Sequence, residues 1–212
     1  SYAPHGLPDV GALDCDVYLY STYKTYGPHV GLMYTRRSLL EQMTNQGHYF
    51  KDTTPEGWLT PAGPDHAAIG SVAGIADYYD TLVAHHGIEG TTRRDRVASL
   101  FAAFAAHEAE ITAPLVEMLI AHDWARLVGA PTADHAVRAP TVAFHVPGTT
   151  SASIYDALIA AKVSCGHGNF YAHRLVGSLG LDIDDGVVRV SAVHYNSSDD
   201  IARACAVLDD VL

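Results

Sequence analysis

The chain has 212 residues, 13 lysines and arginines against 24 acids, and a formal net charge of −11; 48% of it is hydrophobic and 17% charged. That size and apolar content can bury one substantial core, or one lobe and part of a second. The acidic balance argues against nucleic acid or an anionic membrane as partner. Arg93, Arg94 and Arg96 make a brief basic cluster that Asp95 interrupts. Cys15, Cys165 and Cys205 are an odd number without framework or metal-ligand spacing, as expected in a reducing compartment. Charge cuts every apolar stretch before bilayer length and Ser1 does not open a signal peptide, so the expected location is cytoplasmic, with no membrane partner.

From the start of the chain, Val17-Tyr18-Leu19-Tyr20 and Val30-Gly31-Leu32-Met33-Tyr34 are β-branched and aromatic runs that predict two strands within residues 14–35. Between them lies a polar loop containing Lys24, one of three lysines with Lys51 and Lys162. A lysine held where two buried strands meet is expected to lose hydration, which lowers its pKa and makes it an amine nucleophile for Schiff-base chemistry. The alternative is a loop lysine with no chemistry. A short helix over residues 37–46 and a Gly- and Pro-rich connector over 47–65 follow.

Residues 66–85 predict a helix whose small residues Ala67, Ala68, Gly70, Ala73, Gly74 and Ala76 either admit another backbone closely or pack a tight core. His85 and His86 adjoin Gly87 at its end, where imidazoles meet the last carbonyls favourably. The thirteen histidines contain no zinc-helix pair, and no metal site is expected. A second helix begins at Thr91 or Thr92 and carries Val97, Leu100, Phe101, Phe104, Ile111, Leu115 and Met118 at three-to-four spacing, with a kink expected at Pro114. It leads to a smaller domain starting within residues 123–131.

That domain reads as α/β. A strand over 141–146 precedes a helix to about residue 162, capped by Thr150 or Ser151 and turning Ile154, Leu158 and Ile159 inward. The Cys165 loop, a short helix near 171–179, a strand carrying Arg189 and a last helix over 199–212 follow. In the last helix Ile201, Cys205, Leu208 and Leu212 share a face, and Asp199 and Asp200 sit at the positive end. Arg189 either receives an anion or pairs with an acid such as Asp185.

Ser21-Thr22-Tyr23-Lys24, followed by Gly27-Pro28-His29 and a further strand, resembles the cofactor-lysine segment of the class V aminotransferases, the pyridoxal-phosphate family that includes the cysteine desulfurases. Arg189-Val190-Ser191, then His194-Tyr195-Asn196-Ser197 and Asp199-Asp200, resembles the closing signature of the same family. Gly168-Asn169-Phe170-Tyr171-Ala172 is most similar to its cysteine desulfurase-like branch.

The resemblance implies an α/β fold: the end of a mostly parallel large-domain sheet with a long bridging helix in residues 1–122, and a small C-terminal α/β domain in 123–212. It implies a pyridoxal 5'-phosphate-dependent lyase or transferase, a homodimer acting on an amino acid. Lys24 would form the Schiff base and act as base and acid at the substrate α-carbon. Ser21 would hydrogen-bond the cofactor phosphate, and Tyr23 stands where many desulfurases place a histidine on that phosphate; its phenol donates a hydrogen bond without adding charge. Thr60, or a backbone amide of its loop, would replace the threonine lent to the partner subunit's phosphate, because Gly63 occupies that place.

Arg189 would grip the α-carboxylate through a two-pronged pair, while His167 and Asn169 shape the pocket or contact substrate. Asn169 also occupies the place of the sulfur-attacking cysteine; Cys165 lies earlier, where only a shifted loop brings it to the site. The family's glycine-rich phosphate loop, ring-stacking aromatic and pyridinium-binding aspartate precede the lysine. They are expected in an N-terminal segment or chain before Ser1, which makes this chain a C-terminal portion. The alternative is a non-catalytic remnant or partner subunit that keeps the fold and the dimer surface.

Overall fold

A computed structural model describes residues 2–60 and 63–212; Ser1, and Pro61 and Ala62 of the connector loop, lie outside the described residues. The chain divides into two compact units, Ser1–Phe101 and Ala102–Leu212. The division falls inside one long helix, whose far end is where the sequence suggested the second domain to begin.

In the first unit β1 (Val17–Ser21) and β2 (Gly31–Thr35) pair antiparallel, with Leu19 opposite Met33 and Ser21 opposite Gly31. The period of two sends Tyr18, Tyr20, Leu32 and Tyr34 to one face, where they line an apolar cavity of about 230 Å³ with Ile75, Tyr79 and Phe101. On the other face Leu19 and Met33 are 68% and 47% exposed. The expectation of two buried strands is therefore corrected: Val17, Leu19, Leu32, Met33 and Tyr34 are all exposed, because a two-stranded ribbon packed on one face leaves much of its apolar surface open.

α1 (Arg37–Leu40) is shorter than expected and gives way to a turn-prone run containing Thr44, Asn45 and Gly47. α2 (Pro55–Trp58) starts on its proline, where a missing N–H costs nothing. The single helix expected over 66–85 is two, α3 (His66–Ser71) and α4 (Ala73–His85), broken at Val72. Gly70 and Gly74 weaken the helix there, and the Ser71 hydroxyl donates back to the carbonyl of Ala68. α5 (Arg93–Ala121) opens on a reciprocal cap in which Asp95 N–H donates to Thr92 Oγ1 and Thr92 N–H to Asp95. It runs on unbroken through Pro114.

The second unit is a four-stranded antiparallel sheet of order β3-β4-β6-β5, with β3 (Arg126–Val128), β4 (Thr141–His145), β5 (Gly166–Gly168) and β6 (Val187–Ser191). α6 (Ser151–Ala160), α7 (His173–Ser178) and α8 (Ser198–Val211) complete it. Leu115 and Leu119 of α5, Val142 and Phe144 of β4, Ile154 and Leu158 of α6, Val188 of β6 and Leu208 of α8 share one buried core. Ile159, expected inward, is exposed, since Ile154 and Leu158 already fill the buried stripe of α6. Thr150 is the α6 cap, accepting the Ser153 N–H. The Arg138 guanidinium donates to the carbonyls of Val128, Ala130 and Thr141 and so closes the β3–β4 connection.

Candidate functional site

Lys24 sits in a 3-10 turn (Thr22–Thr25) that continues directly from β1. Thr22 is fully buried and its hydroxyl donates to the carbonyl of Pro28 at 2.6 Å, while its N–H donates to that of Val30 at 2.9 Å. Thr25, also buried, donates through its hydroxyl to Thr22 O at 2.9 Å. Tyr26 closes the turn at φ 68, the left-handed region, and its ring meets that of Tyr78 on α4 edge-on. Gly27 lies so close to Ile75 that a Cβ would stand 2.5 Å from its Cδ1. Two buried threonines, an α4 contact and a glycine thus fix the backbone that presents Lys24.

Lys24 itself is half-buried, with Nζ 5.9 Å from the centroid of the Tyr23 ring, and Tyr23 stacks on His29 at 4.6 Å. The two strands expected to bury the lysine leave Val17, Leu19, Leu32, Met33 and Tyr34 exposed. The loop hydroxyls divide cleanly. Those of Thr22 and Thr25 are committed to backbone, whereas those of Ser21 and Tyr23, both just before Lys24 in sequence, are engaged by no described residue. Uncommitted donors beside an amine suit a phosphate-bearing aldehyde cofactor, so the residues present fit pyridoxal phosphate.

Thr60 lines an open cavity of about 500 Å³ with Gly31, Met33, Thr35, Arg37 and Glu56. Ser21 lies directly across the ladder from the lining residue Gly31, but Lys24, Ser21 and Tyr23 do not line that cavity. The Thr60 hydroxyl donates to Glu56 O at 3.0 Å, and its carbonyl accepts from Lys51 Nζ.

In the second unit Arg189 of β6 stands opposite Gly166 of β5. Its guanidinium carbon lies 3.8 Å from the centre of the Phe170 ring. Asp185 is not its partner: that carboxylate accepts the Ser151 N–H at 2.9 and 3.1 Å and the Ser151 hydroxyl, capping α6. Among the described residues no carboxylate pairs with Arg189. His167 is exposed, its ring 4.7 Å from that of Tyr155. Asn169 spends both ends of its amide on the loop, donating to Ile183 O at 3.1 Å and accepting from Tyr171 N–H at 3.0 Å. Cys165 packs against the core, and burial pushes its thiol up.

The closing signature is held from α5. His107 Nε2 lies 2.8 Å from Asn196 O, Phe104 stacks on His194 at 4.0 Å, and Ser197 and Asp200 form a reciprocal cap on α8. Sequence reading took Thr22, His29 and Phe170 only as members of motifs and assigned no role to them or to Thr25. The threonines follow no catalytic pattern, and nothing in the local sequence signals that Phe170 folds back on Arg189.

The architecture, a mixed α/β chain in two units, is shared with solved cysteine desulfurases. The structure of cysteine desulfurase from Thermococcus onnurineus matches with a TM-score of 0.78 at 20% identity, over 99% of this chain and 50% of that one. The cysteine desulfurase CsdA of Escherichia coli matches with a TM-score of 0.75 at 20% identity, over 99% and 49%. The sequence profile of the family Aminotransferase class-V matches residues 1–204, and the chain belongs to that family. The aminotransferase-like protein FGM3 of Gibberella zeae is 36% identical over all of this chain and 50% of its own length. A probable cysteine desulfurase of Pseudomonas putida is 30% identical over 98% of this chain and 48% of its own. The chain spans about half the length of these relatives.

Proposed function

We propose that the complete protein containing this chain is a pyridoxal 5'-phosphate-dependent lyase or transferase acting on an amino acid, with Lys24 as its cofactor lysine. The observation that carries the reading is the pair of uncommitted hydroxyls, Ser21 and Tyr23, just ahead of a half-buried amine on a turn that two buried threonines hold. When bound, the cofactor supplies an electron sink that stabilises negative charge at the substrate α-carbon. Lys24 holds it through its amine and afterwards takes and returns the α-carbon proton. Ser21 and Tyr23 donate their O–H groups to its phosphate. Thr60, once its hydroxyl turns from Glu56 O, or a backbone amide of its loop, supplies the donor that the family lends to the partner subunit's phosphate. Arg189, without a carboxylate of its own, receives the α-carboxylate of the amino acid. Asn169 fixes the loop that brings Phe170 against Arg189, whereas His167 stands opposite Val188 on the other face of the ladder, its ring beside Tyr155 of α6.

A sulfur-attacking thiolate is poorly served here: Asn169 stands in the loop and burial pushes the Cys165 thiol up. That favours a branch of the family that forms no enzyme persulfide. The other half of the enzyme, as an N-terminal segment or chain, completes the site within a homodimer in the cytoplasm. The test is an absorbance titration of the complete protein with pyridoxal 5'-phosphate. The wild type develops the visible band of a lysine-bound cofactor and Lys24→Ala does not; a band that survives the substitution refutes the assignment of Lys24.

A further inference from the structure

We infer that Phe170 is a positioning residue for Arg189, fixing the plane of its guanidinium for carboxylate recognition; this rests on the reading of Arg189 given above. Gly166 and Arg189 are directly opposed in the β5–β6 ladder, and a cross-strand neighbour is the position from which a side chain normally steadies its partner. Gly166 has no side chain to offer. The chain instead folds back and lays the Phe170 ring in that place. A Cβ on Gly166 would stand 3.0 Å from Phe170 Cε1 and 3.2 Å from Cζ, so the glycine leaves the space the ring uses.

The ring then lies 3.8 Å from the Arg189 guanidinium carbon, within stacking distance. Phe170 reaches it at φ 49 and Tyr171 follows at φ 63, two consecutive left-handed residues without a glycine. Asn169 holds that turn through Ile183 O and the Tyr171 N–H. One face of the guanidinium is covered by an apolar ring that competes for none of its N–H donors. Its in-plane edge stays available for a two-pronged carboxylate, the geometry that rewards a fixed plane. A neutral ring therefore orients Arg189 without neutralising it, as a carboxylate partner would.

The test is phenylglyoxal modification of the complete protein, with the adduct on Arg189 quantified by peptide mass spectrometry and propionate and propionamide as protecting probes. Propionate protects Arg189 in the wild type and propionamide does not. Phe170→Leu removes the aromatic face, and Gly166→Ala displaces the ring by an independent route. Both raise the modification rate about fivefold and weaken protection by propionate by a similar factor, the scale of one cation–π contact. Phe170→Tyr keeps the stack and behaves as wild type. Failure of propionate to protect the wild type overturns the carboxylate role of Arg189 and the positioning role with it. Protection that is intact and unchanged in both Phe170→Leu and Gly166→Ala overturns the positioning role alone.

Discussion

Single residues here show which polar groups the fold spends and which it leaves for chemistry. Tyr79 is 9% exposed and its hydroxyl finds no hydrogen-bond partner among the described residues, while burial pushes the phenol up to about 12. An unmet buried hydroxyl is a liability of roughly 1–3 kcal/mol. Tyr79→Phe should therefore leave thermal stability unchanged or raise it by about 1 kcal/mol; a loss of that size in a melting experiment would mean that the hydroxyl has a bonded partner in solution. Phe170 and Tyr171 carry backbone strain of roughly 1–3 kcal/mol each. That strain coincides with the Arg189 stack and with the 98% exposed Tyr171, whose ring no described element covers. Thr22, Thr25 and Asp185, by contrast, put their side chains into holding turns and helix ends.

At the scale of elements, α8 is held at its start by the Ser197–Asp200 cap and at its core face by Ile201, Ala204 and Leu208. The Ser197 N–H, donated to Asp200, holds that carboxyl below its ordinary value, helped by Asn196 and the Ser197 hydroxyl. A carboxylate with a depressed folded-state pKa contributes stability above its unfolded value of 3.8 and loses it as pH falls through the folded value. Thermal melts taken from about pH 6 down to about pH 3 should show a smaller acid loss in Asp200→Asn than in the wild type; equal losses would remove Asp200 from the account. The amphipathic elements were legible in the sequence because their periods are plain: α8, α6, the β4 and β6 strands, and the strand-turn-strand around Lys24. What could not be read lacked such a signal. Gly166-His167-Gly168 has no strand propensity and becomes β5 only by pairing with β6, and the break at Val72 depends on glycines and a back-bonded serine inside a run that otherwise reads as helix. The burial of β1 and β2 was misjudged because an apolar run announces a need for cover without saying where the cover comes from.

Taken whole, the chain is a class V aminotransferase family member in two units that spans about half the length of its relatives. The β1–β2 ribbon leaves Leu19 and Met33 of one face exposed, and no described residue engages the hydroxyls of Ser21 and Tyr23. No helix among the described residues is long and apolar enough to cross a membrane. The lysine segment and the Arg189 strand stand out in the sequence as short ordered motifs; the residues that hold them, Thr22, Thr25 and Phe170, do not, since they act through folded contacts. The central claim is that Lys24 carries the cofactor, and borohydride reduction of the complete protein with pyridoxal 5'-phosphate, followed by peptide mass mapping, tests it most directly. The account predicts a stable pyridoxyl adduct on Lys24, with Lys51 and Lys162 unmodified; an adduct confined to another lysine, or no adduct at all, would contradict it.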